Sequence, residues 1–422
     1  MTKTNPNDNK TTAFEQGAPM AEKNNNLQNV SRAVYACRRC GQCGNKVTDA
    51  VPYVCPVRQA TPGFDHFFAR GKIIIARGLL EGDLEPTPEL AAAVFSCTLC
   101  GNCLTQCGAI DRDTGGPLVD TVEIVEALRT DIMEEHPGWV DDGYKTLLAA
   151  SRQYDNPWGL PRSARGKWAK KLSLPNALET NTEVLLFVGC TIASNPALNS
   201  RAVKAAAILK HCNVNVGVLG KNEPCCGSVQ KRIGAAGQAR DMLNHNIGLL
   251  NKTGSQTIVT LCAGCTNALK NDYRHGNKQL RPQIMHITEY LAGLLKNGTL
   301  KPDRQPPTKV TYHDPCHLGR HMGLYAAPRE VLNALPGIEL IERSATRENT
   351  ICCGAGGGMR LFESGTLAEK IGAAALESAS QTGADTLVSA CPFCEMNLEA
   401  ARTATDSSIK VEDIIDLVHA AI

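Results

Sequence analysis

The sequence predicts an α+β multidomain protein in which a helical, cysteine-rich domain precedes two copies of a cysteine-rich α/β domain. Its 422 residues are enough for about three domains of ordinary size. From Glu183 onward, short apolar segments alternate with amphipathic ones, which is the pattern of a parallel α/β sheet. The 19 cysteines form four groups, and the third and fourth groups repeat each other at a nearly constant offset.

Charge and hydropathy exclude several classes of protein. Lysine plus arginine (44) nearly balance aspartate plus glutamate (42), so the chain lacks the basic excess typical of nucleic-acid binding. The longest apolar runs, such as residues 184–188, are far shorter than the roughly 18 residues that span a bilayer. Residues 1–30 are polar and contain no apolar signal segment, so we expect a disordered tail rather than an export signal. We therefore expect a cytoplasmic protein without a transmembrane segment of its own.

The cysteines indicate metal binding rather than disulfides. A chain with 43% hydrophobic residues can build its cores without covalent links, and no signal directs it to an oxidising compartment. The cysteines also recur at short, repeated spacings. Such spacings are typical of metal ligands.

Two cysteine groups in the first third of the chain match a two-cluster ferredoxin. Each is a CxxCxxC triplet followed by a fourth cysteine, and in such proteins the fourth ligand comes from the other motif. The pattern departs from the usual one in two ways, because eleven residues separate the first triplet from Cys55 and because Gly108, not proline, follows Cys107. We predict two [4Fe–4S] clusters, one held by Cys37, Cys40, Cys43 and Cys107 and the other by Cys97, Cys100, Cys103 and Cys55.

Zinc is the alternative to these clusters, because paired CxxC motifs also form tetrahedral zinc sites. The CxxCxxC triplet favours iron and sulfide. Between the two motifs, the run Ile73 to Leu80 has apolar residues at helical intervals. This run favours a helical ferredoxin domain over the compact β-type.

Residues 131–182 contain Trp139, Trp158, Trp168 and several prolines. They also contain a basic run, which we interpret either as a docking surface for a partner or an anionic membrane, or as the solvated face of a linker. The residues of this run are Arg162, Arg165, Lys167, Lys170 and Lys171.

The second half of the chain contains an internal duplication. Its cysteines recur at offsets of 126, 127, 127, 129 and 129 residues. Each copy has one cysteine at a strand end, a Cys-Cys-Gly turn and a CxxC motif where a strand meets a helix. Because parallel sheets gather their sites at the carboxyl ends of strands, the five thiols of a copy can converge. The predicted strands are residues 184–188, 214–219, 258–261, 309–312 and 386–389.

This arrangement, present twice after a two-cluster ferredoxin domain, resembles the catalytic iron–sulfur subunit of heterodisulfide reductases in its fused D-type form. The resemblance covers almost everything after about residue 31 and includes the cysteine-rich domain called CCG. It implies one or two non-cubane [4Fe–4S] clusters in the duplicated half, in addition to the two cubanes. The implied order is an α-helical ferredoxin domain (31–130), a linker or helical segment (131–182), a first CCG domain (183–300) and a second CCG domain (308–422).

The resemblance also implies roles for the ten cysteines of the duplicated half. In that family the two five-cysteine sets face each other across the site where a disulfide is split. The first set, expected to bind the cofactor, is Cys190, Cys225, Cys226, Cys262 and Cys265. The second set, expected to act in catalysis, is Cys316, Cys352, Cys353, Cys391 and Cys394.

The resemblance thus implies an iron–sulfur oxidoreductase subunit that passes electrons to a disulfide. Related subunits of glycolate and lactate oxidases carry electrons between other centres, so an electron conduit for glycolate, lactate or acyl-CoA oxidation linked to quinone is the alternative. No flavin or nicotinamide motif is recognisable, since GxGxxG would need glycine at Met359. A partner is therefore expected, either a flavoprotein or a membrane subunit with haem or quinone, which could hold the chain at the inner face of the membrane.

Other residues of the duplicated half are open to interpretation. The glycines of residues 354–358 would let the backbone approach cluster sulfides. Cys212, outside every ligand set, is expected to be a buried thiol. Four polar residues near Cys316 either transfer protons or are simply hydrogen-bonded beside a strand end. They are His313, Asp314, His317 and His321.

Overall fold

The computed structural model describes residues 26–45, 53–274, 279–303 and 306–422. Most of the predicted tail lies outside these residues, but the prediction of disorder is wrong at its end. Asn26–Asn29 is helical, and Leu27 is buried. The carboxylate of Asp131 accepts hydrogen bonds from the backbone N–H groups of Asn26 and Leu27, both at 2.9 Å. This helix start is fixed because its free N–H groups have an acceptor and its apolar side chain enters the core.

The N-terminal part is helical, as predicted. Its α4 contains the run Ile73 to Leu80 and buries Ile73 and Ala76. The expected domain boundary at residues 130 and 131 falls inside α7, whose apolar face packs against α4 and α5. The helices are α1 (Asn26–Asn29), α2 (Ser31–Ala36), α3 (Pro56–Gln59), α4 (Ala69–Glu81), α5 (Pro88–Phe95), α6 (Asn102–Thr105), α7 (Thr121–Glu135), α8 (Asp142–Tyr154) and α9 (Arg162–Arg165).

A first α/β unit follows, with a parallel four-stranded sheet in the order β2-β1-β3-β4. Its strands are β1 (Val184–Phe187), β2 (Val216–Gly217), β3 (Thr257–Thr260) and β4 (Gln283–His286). Its helices are α10 (Cys190–Ser194), α11 (Asn199–His211), α12 (Ser228–Arg232), α13 (Ala236–Leu250), α14 (Ala263–Lys270) and α15 (Ile287–Lys296).

The second α/β unit repeats this topology, with strand order β6-β5-β7-β8. Its strands are β5 (Thr308–Tyr312), β6 (Ile338–Leu340), β7 (Thr386–Ser389) and β8 (Lys410–Asp413). Its helices are α16 (Gly319–Met322), α17 (Ala326–Ala334), α18 (Thr366–Ser380), α19 (Pro392–Thr405) and α20 (Ile414–Ala420). Short 3-10 turns occur at Gln42–Gly44, Asp65–Phe67, Pro137–Trp139, Lys167–Ala169, Gly220–Asn222, Asp272–Arg274, Arg347–Asn349 and Phe362–Gly365.

The strand predictions are correct for the sheet centres and incomplete at the edges. Strands β1, β3, β5 and β7 occupy the predicted positions within one residue, and β2 is shorter than predicted. Strands β4, β6 and β8 have no counterpart among the predicted ones. All three are edge strands with partly exposed residues, so they lack the continuous apolar run of a central strand.

The strand order creates a crevice at the carboxyl end of each sheet. From β1 the chain moves outward to β2 and then crosses back to β3, so the loops after β1 and β3 leave in opposite directions. The same reversal occurs at β5 and β7. Cysteines follow all four of these central strands: Cys190, Cys262, Cys316 and Cys391.

The two α/β units are related by a local two-fold arrangement. Helix α11 packs against α20, and α17 packs against α15. Within their units α11 and α17 are equivalent, as are α15 and α20, so the same pair of surfaces is used twice. Such reciprocal contacts are characteristic of a two-fold interface. The two units share one buried apolar core.

The N-terminal helices pack on the second α/β unit. Leu128 and Tyr144 share a hydrophobic cluster with Met359 and Phe362. The Tyr144 hydroxyl also donates to the backbone oxygen of Gly358 at 3.2 Å. The second CxxCxxC triplet is thereby brought close to the five-cysteine set of the second α/β unit.

Candidate iron–sulfur centres

The two CxxCxxC loops adopt the same unusual backbone conformation. Arg39 and Leu99 directly precede the second cysteine of each triplet and have φ values of 55° and 52°. Gly41 and Gly101, which follow the second cysteine, have φ values of 79° and 74°. Left-handed conformations are costly for residues other than glycine and persist where a site requires them. We therefore attribute the shared conformation to a shared requirement, namely turning successive thiols toward one centre.

A buried cavity joins the second triplet to the fourth cysteine of the first motif; we call it the inner cavity. Lys72 also lines it, and no carboxylate among the described residues does. Four thiols without carboxylates are a suitable donor set for a [4Fe–4S] cubane. The thiols that line the inner cavity are Cys55, Cys97, Cys100 and Cys103.

The thiols of the inner cavity are affected by hydrogen bonds and by burial. The backbone N–H of Leu99 donates to Cys97 Sγ at 3.4 Å, and the Thr121 hydroxyl lies 2.9 Å from Cys103 Sγ. Hydrogen bonds of this kind tune cluster potentials. Burial raises the pKa of Cys55 to about 12. Such a thiol keeps its proton at neutral pH until a metal displaces it.

The first triplet lies closer to solvent. Cys40 is exposed, whereas Cys37 and Cys43 are partly buried. Burial raises the pKa of Cys43 to about 12, and the nearby thiols of Cys37 and Cys40 add to this effect. Helix α6 packs against the turn Gln42–Gly44, which brings the chain just before Cys107 to this triplet. We call Cys37, Cys40 and Cys43 the outer triplet.

In both α/β units the CxxC motif begins a helix. Cys262 is the N-cap of α14, and Cys391 is the N-cap of α19. The N-terminal end of a helix favours a thiolate because its free N–H groups carry partial positive charge. At Cys391, hydrogen bonds from the thiols of Cys262 and Cys394 and from backbone N–H groups lower the pKa. In the second unit this end of the motif therefore favours the thiolate that ligates metal, whereas in the first unit the hydrogen bond to Cys391 and burial raise the pKa of Cys262.

The Cys-Cys-Gly turns depend on their glycines. Gly227 and Gly354 have φ values of 78° and 89°, and a Cβ atom on Gly354 would lie 2.3 Å from the backbone oxygen of Ala368. The Asn397 side chain donates to the backbone oxygen of Cys353 at 2.6 Å. The turn of the second unit is thus fixed from both sides.

The second cysteine of each Cys-Cys pair lies between two thiols of its own set. Hydrogen bonds from Cys225 and Cys265 lower the pKa of Cys226. In the second unit, hydrogen bonds lower the pKa of Cys353 in the same way, from Cys352 and Cys394. The duplication therefore repeats the geometry of the site as well as its sequence.

The two sets meet in one cavity, which has a volume of about 410 Å³; we call it the common cavity. Cys262 and Cys391 interact with each other across it. These two residues are equivalent under the duplication, so their contact lies near the local two-fold axis. The common cavity is lined by Cys190, Cys225, Cys226, Cys262, Cys265, Cys316, Cys353, Cys391 and Cys394.

The tenth cysteine of the sets, Cys352, connects the common cavity to the inner cavity. Its thiol interacts with Cys100, and it also interacts with Cys316 and Cys353. From there the thiols form a continuous series through both sets, and its last link is a sulfur–sulfur distance of 3.9 Å between Cys225 and Cys190. The series runs Cys100, Cys352, Cys353, Cys394, Cys391, Cys262, Cys265, Cys226, Cys225, Cys190.

Comparison with known protein families finds a ferredoxin-type domain followed by two cysteine-rich domains. Residues 33–109 match a family described as a 4Fe-4S dicluster domain, and residues 184–270 and 310–399 each match the cysteine-rich CCG domain. The D-type subunit of dihydromethanophenazine:CoB–CoM heterodisulfide reductase from Methanosarcina barkeri is 36% identical over 408 residues, which cover 92% of this chain and 93% of that protein. The chain belongs to the family of D-type heterodisulfide reductase subunits. It is an iron–sulfur oxidoreductase subunit.

Two further relatives of this D-type family member are named as other oxidoreductases. The probable iron–sulfur-binding oxidoreductase FadF from Bacillus subtilis is 28% identical over 91% of this chain and 59% of its own length. The EtfAB:quinone oxidoreductase from Syntrophomonas wolfei is 29% identical over 78% of this chain and 46% of its own length. Within the residues that the structure describes, no helix has both the length and the apolar character needed to cross a bilayer.

In this family member, the basic run of residues 162–171 is not uniformly a solvated face. Arg165 is buried and forms an ion pair of 3.1 Å with the buried Glu223. Glu223 in turn accepts hydrogen bonds from the backbone N–H groups of Val188 and Gly189. Arg165 therefore supports the loop that presents Cys190, and removing one partner of such a buried pair typically costs about 3–5 kcal/mol.

The glycine-rich segment contacts protein backbone, and Gly356, Gly357 and Gly358 also line the common cavity, so their approach to cluster sulfides stays a prediction. A Cβ atom on Gly356 would lie 2.4 Å from the backbone oxygen of Thr98, and one on Gly357 would lie 2.4 Å from that of Cys97. These glycines are required because two chain segments touch there. They hold the second set against the second triplet.

The polar residues near Cys316 have separate surroundings. Asp314 forms an ion pair of 2.7 Å with Arg329, and His321 Nε2 lies 3.1 Å from the backbone oxygen of Leu99. Burial lowers the pKa of His313 to about 3 and that of His321 to about 4. These two imidazoles are therefore neutral at neutral pH. Of the four residues, His317 lines the common cavity.

Side chains beyond the cysteines also line the common cavity. The rings of Trp158 and Phe393 lie 6.0 Å apart at their centroids. Arg360 donates to Asn397 Oδ1 at 3.1 Å. The cavity wall is thus mainly apolar, with Arg232 and Arg360 as its two arginines.

Two buried cations near the inner cavity, Lys72 and Arg129, are not predicted by the sequence analysis. Lys72 lies between Ala69 and Ala76 on the buried face of α4, and Arg129 lies on the buried face of α7. A cation at an apolar position of a helical pattern is the available signal. The prediction for Cys212 is confirmed, since it is buried at the C-terminal end of α11.

Proposed function

We propose that this chain is the disulfide-cleaving subunit of a reductase complex. Electrons enter at the outer triplet, pass through the inner cavity and reach a disulfide in the common cavity. The observation that carries the proposal is that cysteines of the two equivalent five-cysteine sets line one cavity. An electron conduit needs a path, but two equivalent sets that face one another also offer one position for each sulfur of a disulfide.

The ligand assignments belong to this proposal. The outer cubane is assigned to Cys37, Cys40, Cys43 and Cys107, and the inner cubane to the four thiols of the inner cavity. Each five-cysteine set is assigned to one non-cubane cluster. Bound there, the clusters would supply single electrons and iron atoms able to accept sulfur.

The proposed reaction is balanced by two electrons and two protons. One disulfide, RS–SR′, is cleaved and gives two thiols, RSH and R′SH. The electrons come from a partner subunit, which we propose to be a flavoprotein or a membrane subunit with haem or quinone. The chain would then be peripheral to the membrane through that partner. The rings of Trp158 and Phe393, which line the cavity, would contact the organic groups of the substrate.

The proposal is tested with anaerobically purified protein, reduced viologen as the electron donor and a panel of thiol disulfides. We expect viologen oxidation that depends on the disulfide and yields two thiols per two electrons. The opposite result is protein that has its clusters intact and reduces no disulfide, yet transfers electrons between a flavoprotein and a quinone. That result would replace the catalytic proposal with the conduit, a function consistent with the name of the EtfAB:quinone oxidoreductase.

A further inference from the structure

Lys72 places a buried ammonium group beside the thiols of the inner cavity. Its side chain is 1% exposed and lines that cavity. Its ammonium donates to the backbone oxygen of His66 at 2.8 Å. The thiols whose charges act on it are Cys97, Cys55 and Cys103.

Arg129 places a second buried cation near the same thiols. Its side chain is fully buried, and it donates to the backbone oxygens of Cys97 and Phe95 at 2.7 and 2.9 Å. It also donates to the backbone oxygens of Arg232 and Gly357, at 2.7 and 2.8 Å. Its acceptors therefore belong to the helical domain and to both α/β units.

Neither cation has a carboxylate partner of its own. Across the described ranges, no carboxylate forms an ion pair with Lys72 or Arg129, and Arg129 Nε has no hydrogen-bond partner. Glu126 acts on Arg129 only from a distance, because it is paired with Arg232 at 3.1 Å. The two cations also repel each other.

Burial disfavours the charged form of Lys72 and lowers its pKa, so an anionic group beside Lys72 and Arg129 would stabilise both charges. The inner cavity supplies the ligands of such a group. Its four thiolates give a bound cluster negative charge beside both cations.

We propose that Lys72 and Arg129 are the counter-charges of the inner cluster and set its reduction potential above that of the outer cluster. This inference rests on the proposed function, which assigns a cluster to the inner cavity. Reduction adds a negative charge to a cluster, so nearby buried cations favour the reduced form. The cations at the outer triplet are less deeply buried. Arg38 and Arg39 are exposed, whereas Arg58 and Arg70 are partly buried, and Arg70 forms an ion pair of 2.7 Å with Asp65. Water and this carboxylate therefore screen the positive charge there more than at Lys72 and Arg129. Electrons are thereby drawn inward, toward the five-cysteine sets.

The test is a redox titration of the anaerobic protein followed by electron paramagnetic resonance. Lys72→Met removes the ammonium group and retains much of the side-chain volume. We expect two different cubane midpoint potentials in the unaltered protein, of which Lys72→Met lowers the higher and leaves the lower unchanged; a fall of the lower one would contradict the inference. The equilibrium constant for reduction should decrease at least tenfold, which corresponds to about 59 mV for one electron. Lys72→Arg should restore most of the shift because it restores the charge.

Controls separate charge from structure. Lys145→Met removes a surface ammonium that pairs with Asp142, and it should move neither potential. Arg129→Lys keeps a charge but loses hydrogen bonds to several carbonyl groups. If this variant fails to fold, the midpoint potentials of the Lys72 variants alone test the inference. Full iron content with unchanged potentials in Lys72→Met would overturn the inference and leave the proposed function intact. Loss of the inner cluster from both Lys72→Met and Lys72→Gln would also overturn it, by making Lys72 a requirement for binding. Wild-type protein without clusters would instead refute the proposed function.

Discussion

Replacing Cys353 by serine is expected to abolish disulfide reduction by reduced viologen while both cubanes remain reducible. Cys353 lies between Cys352 and Cys394 in the second set and lines the common cavity. Changes to the outer shell of a metal site typically cost about 10–100-fold, so loss of a ligand should cost more than about 100-fold. The rate of viologen oxidation and the resonance spectra of the reduced cubanes are measured on the same sample.

The duplication supplies a second variant and a control for this experiment. Cys226→Ser changes the equivalent position of the first set and should have the same effect. Cys212→Ser changes a buried thiol outside both sets and should preserve turnover and iron content. If Cys353→Ser and Cys226→Ser both retained wild-type turnover, the common cavity would not be the site of reduction.

Replacing Cys107 and Cys103 separately by alanine is expected to remove different clusters, although the two residues are close in sequence. Cys103 lines the inner cavity together with Cys55, whereas Cys107 follows the helix that packs against the outer triplet. Each variant should lose about four irons, the content of one cubane. Spectra of the reduced proteins identify which cluster is lost.

Cys55→Ala completes this comparison. It should lose the same cluster as Cys103→Ala, because Cys55 lines the inner cavity together with the second triplet. Cys212→Ala serves again as the control that loses none. If Cys107→Ala and Cys103→Ala lost the same cluster and spared the other, the cross-ligation would be wrong.

Features that depend on local sequence could be predicted. The two CxxCxxC triplets and the repeated Cys-Cys-Gly and CxxC motifs have fixed spacings, which persist in any fold that presents thiols to metal. The central strands β1, β3, β5 and β7 are largely buried and therefore read as mainly apolar runs. Together these features determine the fold class.

Features that depend on packing between domains could not be predicted. The contact between Cys100 and Cys352 joins residues about 250 positions apart, and no local pattern encodes it. Lys72 and Arg129 count in the composition as ordinary solvated charges, although both are buried. The predicted tail is too long because the acceptor for its helix, Asp131, lies more than 100 residues away.

Every step proposed for this protein depends on iron–sulfur clusters in four places. The most direct test is the iron and acid-labile sulfide content of protein purified without oxygen. We expect a brown protein with about sixteen irons and a similar amount of sulfide per chain, the content of four clusters of four irons. A few equivalents of zinc without sulfide would contradict the assignment of clusters to these cysteines.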